Sequence, residues 1–248
     1  MRVVVNPEYQ SLSEWLTQMP RLFSDNQGEL LYKGRNHIRL FLVGNKKVVV
    51  KCYKKHDIIK MLVYTFFRKN KACKSFENAV LLRKRGFNTP QEVAYMECRT
   101  AGLISQVYYV CAYTDSQPIR PRLIEQEPYD EALAVIYARY VASLHEAGVL
   151  HRDLNPTNVL VDAENHFELI DINRMQFFEG PVPKAECMEN LTLFYWLTPA
   201  YRFILNEYAR QRGWTEEDIA EAIRVKERHD RRWIRRKQIT HLGKYKRL

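Results

Sequence analysis

The chain has 248 residues, of which 46% are hydrophobic, and this composition excludes a disordered or fibrous protein. Its five cysteines lack the spacing of a zinc site, and its apolar runs fall short of a signal peptide or the roughly 18 residues of a membrane span, so we expect a cytoplasmic protein. A formal net charge of +10 favours a polyanionic partner, either nucleic acid or an anionic membrane.

The first half of the chain predicts a small antiparallel sheet with a helix. Apolar residues at 30–32, 38–43 and 47–53 indicate three strands, and Gly44-Asn45 supplies a tight hairpin turn between the last two. Apolar spacing over residues 56–86 is typical of a helix, and Gly86 ends it. Two further strands are expected at 92–96 and 103–113.

The second half predicts a mainly helical region that follows a hinge at residues 114–121. Pro128 begins a helix that ends at Gly148, and two short strands are expected at 159–161 and 167–170. The remainder has helical character, with the next helical segment expected from Glu189 onward. The order of elements is therefore strands, helix, strands and then helices.

The strongest motif is His-Arg-Asp-Leu-Asn-Pro-Thr-Asn over residues 151–158, followed by Asp171 thirteen positions after Asn158. This pattern resembles the catalytic loop and metal-binding aspartate of the protein-kinase superfamily. The resemblance implies an α+β, bilobal protein-kinase-like fold, with an antiparallel-sheet lobe at 1–114, a mainly helical lobe at 115–248 and ATP between them.

The same resemblance implies a role for each residue of the motif. Asp153 would orient the acceptor hydroxyl or take its proton, while Asn158 and Asp171 would hold Mg²⁺ against the phosphates. A single Asp or Asn in a turn more often serves local hydrogen bonds, but three such residues at this spacing favour catalysis. We assign His151 a structural role.

Upstream residues resemble the nucleotide-binding half of a kinase. Val49 and Lys51 fall on one face of a predicted strand, where they would contact adenine and phosphate. Glu77, in the following helix, is the expected partner of Lys51, although it could equally be an exposed charge near Lys74. The glycine-rich loop is reduced to Gly34, so the side chains at 35–37 are alternative phosphate contacts.

Several departures point away from ordinary protein kinases. Asp171 is followed by Ile-Asn in place of Phe-Gly, and Asn155 stands where Ser/Thr protein kinases usually carry lysine. With the catalytic loop, residues 67–72 and 84–90 resemble the lipopolysaccharide core kinase family, which phosphorylates Kdo or heptose of the inner core. The resemblance covers roughly residues 30 to 205 and implies a Gram-negative origin and a glycolipid acceptor.

Two basic stretches fit such an acceptor. Residues 46–74 contain ten Lys or Arg against Asp57, and residues 224–248 contain eleven against Glu227 and Asp230. We expect them to dock the protein peripherally on the anionic inner membrane, with residues 61–67 pressing into the interface. Alternatively, that apolar stripe packs within the protein.

Two other functions remain open. An atypical, RIO-like protein kinase would share the catalytic loop and act on a protein acceptor. A nucleotide-binding pseudokinase or nucleic-acid-binding module would use the basic tail, with Trp233 and Tyr245 for stacking, but no nucleic-acid motif is present and the intact catalytic residues argue against it.

Overall fold

The computed structural model describes the backbone of residues 1–245 and the side chains of residues 1–238. The chain forms two compact units. The first contains residues 1–115 and 168–174, and the second contains residues 116–167 and 175 onward.

A six-stranded antiparallel sheet organises the first unit, in the order β1-β5-β6-β4-β3-β2. Lys51 lies opposite Tyr109 in the central pair β4 and β6, so the expected phosphate-binding lysine projects from the middle of the sheet. The strands are β1 (Arg2–Val5), β2 (Glu29–Lys33), β3 (His37–Val43), β4 (Lys46–Cys52), β5 (Glu92–Thr100) and β6 (Leu103–Ala112).

Helices cover the two faces of this sheet. The first helix, α1 (Ser13–Ser24), buries Leu16 and Met19 against Val48 and Val50 of β4. On the other face, α3 (Lys71–Lys84) packs Ala72 and Cys73 against aromatic side chains that include Tyr95 and Tyr109. Strand alternation separates the two cores, because successive side chains point to opposite faces.

The predicted helix over residues 56–86 is in fact two helices, α2 (Ile58–Phe66) and α3. Asn70 makes the break. Its side chain accepts a hydrogen bond from the Cys73 amide at 3.0 Å and so begins a new helix, while its amide donates to buried Glu97 at 2.6 Å. Helical periodicity alone did not reveal this internal cap.

Strand β1 and helix α1 were not predicted from the sequence. The signal for α1 was present, since Leu12, Leu16, Met19 and Phe23 recur at helical spacing and all are buried. Strand β1 pairs with β5, with Val3 opposite Met96. The N-terminal segment therefore completes the sheet edge and one of its cores.

The second unit is mainly helical, with short strand pairs in which β8 meets β11 and β7 meets β9. Its first long helix begins at Glu131 with Asp130 as the cap, later than the predicted Pro128. The elements that follow residue 115 along the chain are β7 (Gln117–Pro118), α4 (Glu131–Glu146), β8 (Val149–His151), β9 (Val159–Val161), β10 (Phe167–Leu169), β11 (Met175–Phe177), α5 (Lys184–Leu191), α6 (Pro199–Arg212) and α7 (Glu216–Tyr245).

Two boundaries in this part of the chain differ from expectation. Helix α5 begins at Lys184, five positions before the predicted helical segment. Residues 168–174 belong to the first unit, because Glu168 accepts from the Thr114 hydroxyl and Leu169 donates its amide to Asn88. The predicted division at residue 114 assigned them to the helical lobe.

The basic tail predicted from residue 224 lies within α7 as far as that helix is described. Of the two residues considered for stacking, Trp233 packs edge-on against Trp196, with 4.9 Å between the ring centres. The side chain of Tyr245 lies outside the described residues. No helix among the described residues is long and apolar enough to cross a membrane.

The buried cap at Asn70 predicts an unequal cost for two matched substitutions. Asn70→Ala removes the cap of α3 and the amide that donates to buried Glu97, so we expect the free energy of unfolding to fall by about 1 to 3 kcal/mol. Asp57→Ala removes the solvent-exposed cap of α2 and should cost less. Chemical denaturation measures both, and equal losses would contradict a role for burial.

Candidate active site

The loop between β8 and β9 is held together by its own polar side chains. Asn158 donates from Nδ2 to the Asp153 carbonyl at 2.8 Å, and Asn155 donates to the Asp153 carboxylate at 3.0 Å. The amide of Asp153 donates to Nδ1 of His151 at 3.1 Å. The structure thus brings the predicted residues Asp153 and Asn158 together and fixes the direction of the Asp153 carboxylate.

A buried hydrogen-bond chain supports this loop from below. Asn190 donates to the His151 carbonyl at 2.9 Å, and its side-chain oxygen lies 3.0 Å from Nε2 of His145. Because that oxygen can only accept, His145 carries its proton on Nε2, and its Nδ1 accepts from the Tyr208 hydroxyl at 2.9 Å. Burial lowers the pKa of His145 to about 4, so this imidazole is neutral near pH 7.

His145, Asn190 and Tyr208, which form this hydrogen-bond network, were not predicted from the sequence. Its members lie on α4, α5 and α6, and none forms a recognisable motif. His151, by contrast, is 1% exposed and hydrogen-bonded through its ring and its carbonyl, as expected for a structural residue.

In the first unit, the predicted residues Lys51 and Asp171 form an ion pair. Lys51 Nζ lies 2.6 Å from Asp171 Oδ1, and the same oxygen accepts from Asn173 Nδ2 at 2.7 Å. The Lys51 side chain is 16% exposed and that of Asp171 is 33% exposed, so the pair is only partly screened by water. Lys51 also lies 5.3 Å from the ring centre of Tyr53.

The backbone holds Asp171 in an unusual conformation. Its φ angle is 55°, in the left-handed region that few residues other than glycine adopt. The 3-10 turn Ile172–Arg174 follows at once, and Asn78 of α3 donates to the Ile172 carbonyl at 2.7 Å. This contact ties the metal-binding candidate to the helix that covers the sheet.

Glu77 does not occupy the predicted position beside Lys51. It accepts from Lys69 at 2.6 Å, and both side chains are substantially exposed. The face of α3 that contacts the Ile172–Arg174 turn contains Asn78, the neighbour of Glu77, and a step of one residue rotates a side chain by about 100° around a helix. Among the described residues, the carboxylate paired with Lys51 is that of Asp171.

Lys71, the first residue of α3, is a further cation near this pair and was not predicted. Burial lowers its pKa, the charge of Arg35 lowers it further, and the charge of Asp171 opposes both. Arg174 also acts on it, more weakly. Lys71 therefore lies within electrostatic reach of Asp171 and of other cations of the first unit.

The remaining predicted residues lie on or beside the central strands. Val49 is half-buried on the same face of β4 as Lys51, opposite the buried Val48 and Val50. Gly34 lies in the turn between β2 and β3, where its amide donates to the Asn36 carbonyl at 3.1 Å. A Cβ at position 34 would meet the end of the exposed Tyr32 side chain, so a larger residue there requires that ring to move.

Each unit contains a candidate oxygen ligand for a hard cation. In the first unit Asp171 offers a carboxylate, and in the second, among the described residues, nothing donates to Oδ1 of Asn158. No cluster of three or more His, Cys, Asp or Glu able to hold a metal occurs in the described part of the chain. Mg²⁺ commonly takes one or two protein oxygens and completes its shell with phosphate and water, and each of these side chains offers an oxygen of that kind.

The chain is similar to known proteins in sequence and in fold. A family model described as the lipopolysaccharide kinase (Kdo/WaaP) family matches residues 32–225. A solved structure, WaaP in complex with acyl carrier protein, aligns with a TM-score of 0.62 and 21% identity, covering 94% of this chain and 99% of that one. This likeness supports the predicted α+β, protein-kinase-like fold.

Curated relatives match over shorter stretches. The 3-deoxy-D-manno-octulosonic acid kinase of Photobacterium profundum is 28% identical over 129 residues, which is 52% of this chain and 54% of that protein. The serine/threonine-protein kinase AtPK1/AtPK6 of Arabidopsis thaliana is 33% identical over 78 residues, 30% of this chain and 17% of that kinase. The chain thus spans about half, or less, of the length of these relatives.

The buried neutral His145 predicts a loss of stability in mild acid. Because its pKa is about 4 in the folded chain and about 6.5 when unfolded, only the unfolded state gains a proton between these values. The free energy of unfolding should therefore fall as pH decreases below about 6.5. From about pH 7.5 to 5.5, the wild type should lose about 1 kcal/mol more than His145→Gln.

Urea unfolding of both proteins at the two pH values measures this difference. The glutamine variant is the matched control, since it keeps a polar side chain but cannot take up a proton. Parallel losses in the two proteins would show that His145 does not titrate in this range.

Proposed function

The chain belongs to the lipopolysaccharide kinase (Kdo/WaaP) family, and on that premise we propose that it transfers the γ-phosphate of ATP to a hydroxyl of Kdo or heptose in the lipopolysaccharide inner core. The observation that carries the proposal is the pair between Lys51 and Asp171, which meet at 2.6 Å although 120 positions separate them. Phosphoryl transfer needs such a fixed cation and carboxylate near the phosphates. The named activity of the Photobacterium profundum relative favours a sugar acceptor.

In this proposal Asp153 acts on the acceptor. Its carboxylate accepts the proton of the attacking hydroxyl, or orients that hydroxyl, as phosphoryl transfer requires. Asn155, which donates to the same carboxylate at 3.0 Å, is a positioning residue that fixes its direction. The hydrogen bonds that link His145 to Asn190, and Asn190 to the His151 carbonyl, keep the loop backbone in place.

The phosphates are assigned to the cations around Asp171. Asn158 and Asp171 would hold Mg²⁺, which neutralises charge on the phosphate oxygens when it is bound. Lys51 would contact the phosphates directly, and Lys71 and Arg35 would compensate for the missing glycines of the loop at Gly34. Val49, on the same face of β4 as Lys51, would contact adenine.

The acceptor of this reaction is a glycolipid, so we place the protein on the cytoplasmic face of a Gram-negative inner membrane. The basic stretches 46–74 and 224–248 are suited to anionic lipid, since each Lys or Arg near such a surface contributes about 1 kcal/mol. The last ten side chains of the second stretch lie outside the described residues.

Offering acceptors side by side tests the proposed reaction. Purified protein is incubated with Mg²⁺ and γ-labelled ATP, together with a Kdo-containing lipid A precursor, a heptose-containing core and a generic protein. We expect label in a core sugar and at least a hundredfold loss in Asp153→Ala, because that change removes the group that acts on the hydroxyl. Omitting Mg²⁺ should abolish transfer.

The other results separate the alternatives. Label only in the protein acceptor, dependent on Asp153, would establish an atypical protein kinase. No label in any acceptor, combined with measurable ATP binding, would indicate a pseudokinase. Wild-type transfer by Asp153→Ala would remove the catalytic assignment.

The ion pair predicts a second kinetic effect. Lys51→Met removes the cation beside Asp171 and should lower kcat/KM by about 100-fold or more, as expected for loss of an electrostatic contact to a reacting phosphate. Lys47→Met is the matched control, because Lys47 lies on the same strand and face of β4 but contacts the ring of Tyr113. Equal activities of the two variants would contradict the role of Lys51.

A further inference from the structure

Helix α2 presents an apolar face to solvent. Ile59, Phe66 and Phe67 are 71%, 67% and 81% exposed, and Ile58 and Leu62 are exposed as well. At 100° per residue, the four positions from Ile58 to Phe66 fall within an arc of about 100°, and Phe67 extends it past the end of the helix. Globular proteins rarely leave a continuous apolar stripe uncovered.

Tyr64 and Thr65 attach α2 to the rest of the first unit, and at 100° per residue both lie outside the arc of the apolar stripe. Thr65 Oγ1 accepts from the Ile104 amide of β6 at 2.9 Å and donates to the Met61 carbonyl at 2.6 Å. The Tyr64 ring lies 4.7 Å from that of His56. The helix is therefore held by one side, and its apolar stripe faces outward.

Cations flank α2 along the chain, and we call them the collar: Lys54 and Lys55 before the helix, Lys60 within it, and Arg68 and Lys69 after it. Lys60 and Lys69 are engaged by Asp57 and Glu77, respectively. No carboxylate among the described residues pairs with the other three, which are exposed. The collar therefore carries a net positive charge next to the apolar stripe.

This combination matches one kind of partner. We propose that α2 is an interfacial helix that inserts Phe66 and Phe67 into an anionic lipid bilayer while the collar contacts lipid phosphates. Nine residues span about 14 Å, roughly half the apolar thickness of a bilayer, so the helix lies along the surface. A second copy of this chain is disfavoured, since a twofold contact would bring two like-charged collars together.

The proposal deepens the proposed function, on which it rests for the identity of the membrane that contains the acceptor. Its test needs neither nucleotide nor sugar. Failure of vesicle binding is therefore distinguishable from failure of phosphate transfer.

Vesicle co-sedimentation of the full chain tests the helix. Vesicles of phosphatidylglycerol and phosphatidylethanolamine are compared with vesicles of phosphatidylcholine alone. We expect preferential binding to the anionic vesicles and at least about tenfold weaker binding for the double variant Phe66→Ser, Phe67→Ser, because two large apolar side chains no longer enter the bilayer. Leu42→Ser is the matched control, since Leu42 is 71% exposed beside Lys47 on the hairpin of β3 and β4.

Charge is tested separately with Lys54→Gln, Lys55→Gln, which should weaken binding and its dependence on salt while leaving the apolar stripe intact. Circular dichroism confirms that each variant is folded. Equal binding to both lipids, equal weakening by Leu42→Ser, or unchanged binding by the phenylalanine variant would each overturn the proposal. Self-association in sedimentation velocity that is lost in the same variant would assign the face to a second copy instead.

Discussion

The first unit depends on an ion pair made at long range. Lys51 lies in the middle of the sheet, and Asp171 belongs to a short segment that returns to this unit after more than fifty intervening residues. With both side chains partly withdrawn from water, loss of either leaves the other without its partner, which costs more than loss of an exposed pair. The left-handed backbone at Asp171 is held in place by its surroundings, since the turn that follows it, Lys51 and Asn78 all restrain it.

In the second unit, neutral hydrogen bonds and not an ion pair hold the candidate catalytic loop in place. The side chains of His145, Asn190 and Tyr208 are buried and neutral. Each donor among them faces an acceptor of the next member of the hydrogen-bond network. A buried network of this kind specifies one arrangement, because an unmatched member would be left unsatisfied. The result is a rigid base beneath Asp153, whose own side chain is oriented by Asn155.

Some of this could be predicted from sequence. The family resemblance and the kinase-like fold class are confirmed. They were predictable because the catalytic loop is a local motif within eight consecutive residues. The central strands were also predicted well, since turn chemistry and alternation are local signals. The assignments of Asp153, Asn158 and Asp171 remain proposals, supported by the contacts that their side chains make.

The errors came from information that is not local. The start of α3 depends on the cap residue Asn70, whose side chain also donates to Glu97 on a distant strand. The partner of Lys51 depends on the rotation of α3, which helical spacing alone does not define, so Glu77 was chosen by analogy. The exposure of α2 was equally hidden, because an amphipathic pattern identifies an apolar face but not what covers it.

The left-handed backbone at Asp171 restricts how the site can change during evolution. Aspartate, asparagine and glycine tolerate a φ of 55°, whereas a β-branched residue there would be strained. Asparagine is the replacement that removes the charge while preserving both this backbone and a side-chain oxygen that accepts hydrogen bonds. A descendant that retained this architecture without the carboxylate would therefore be expected to carry asparagine at this position.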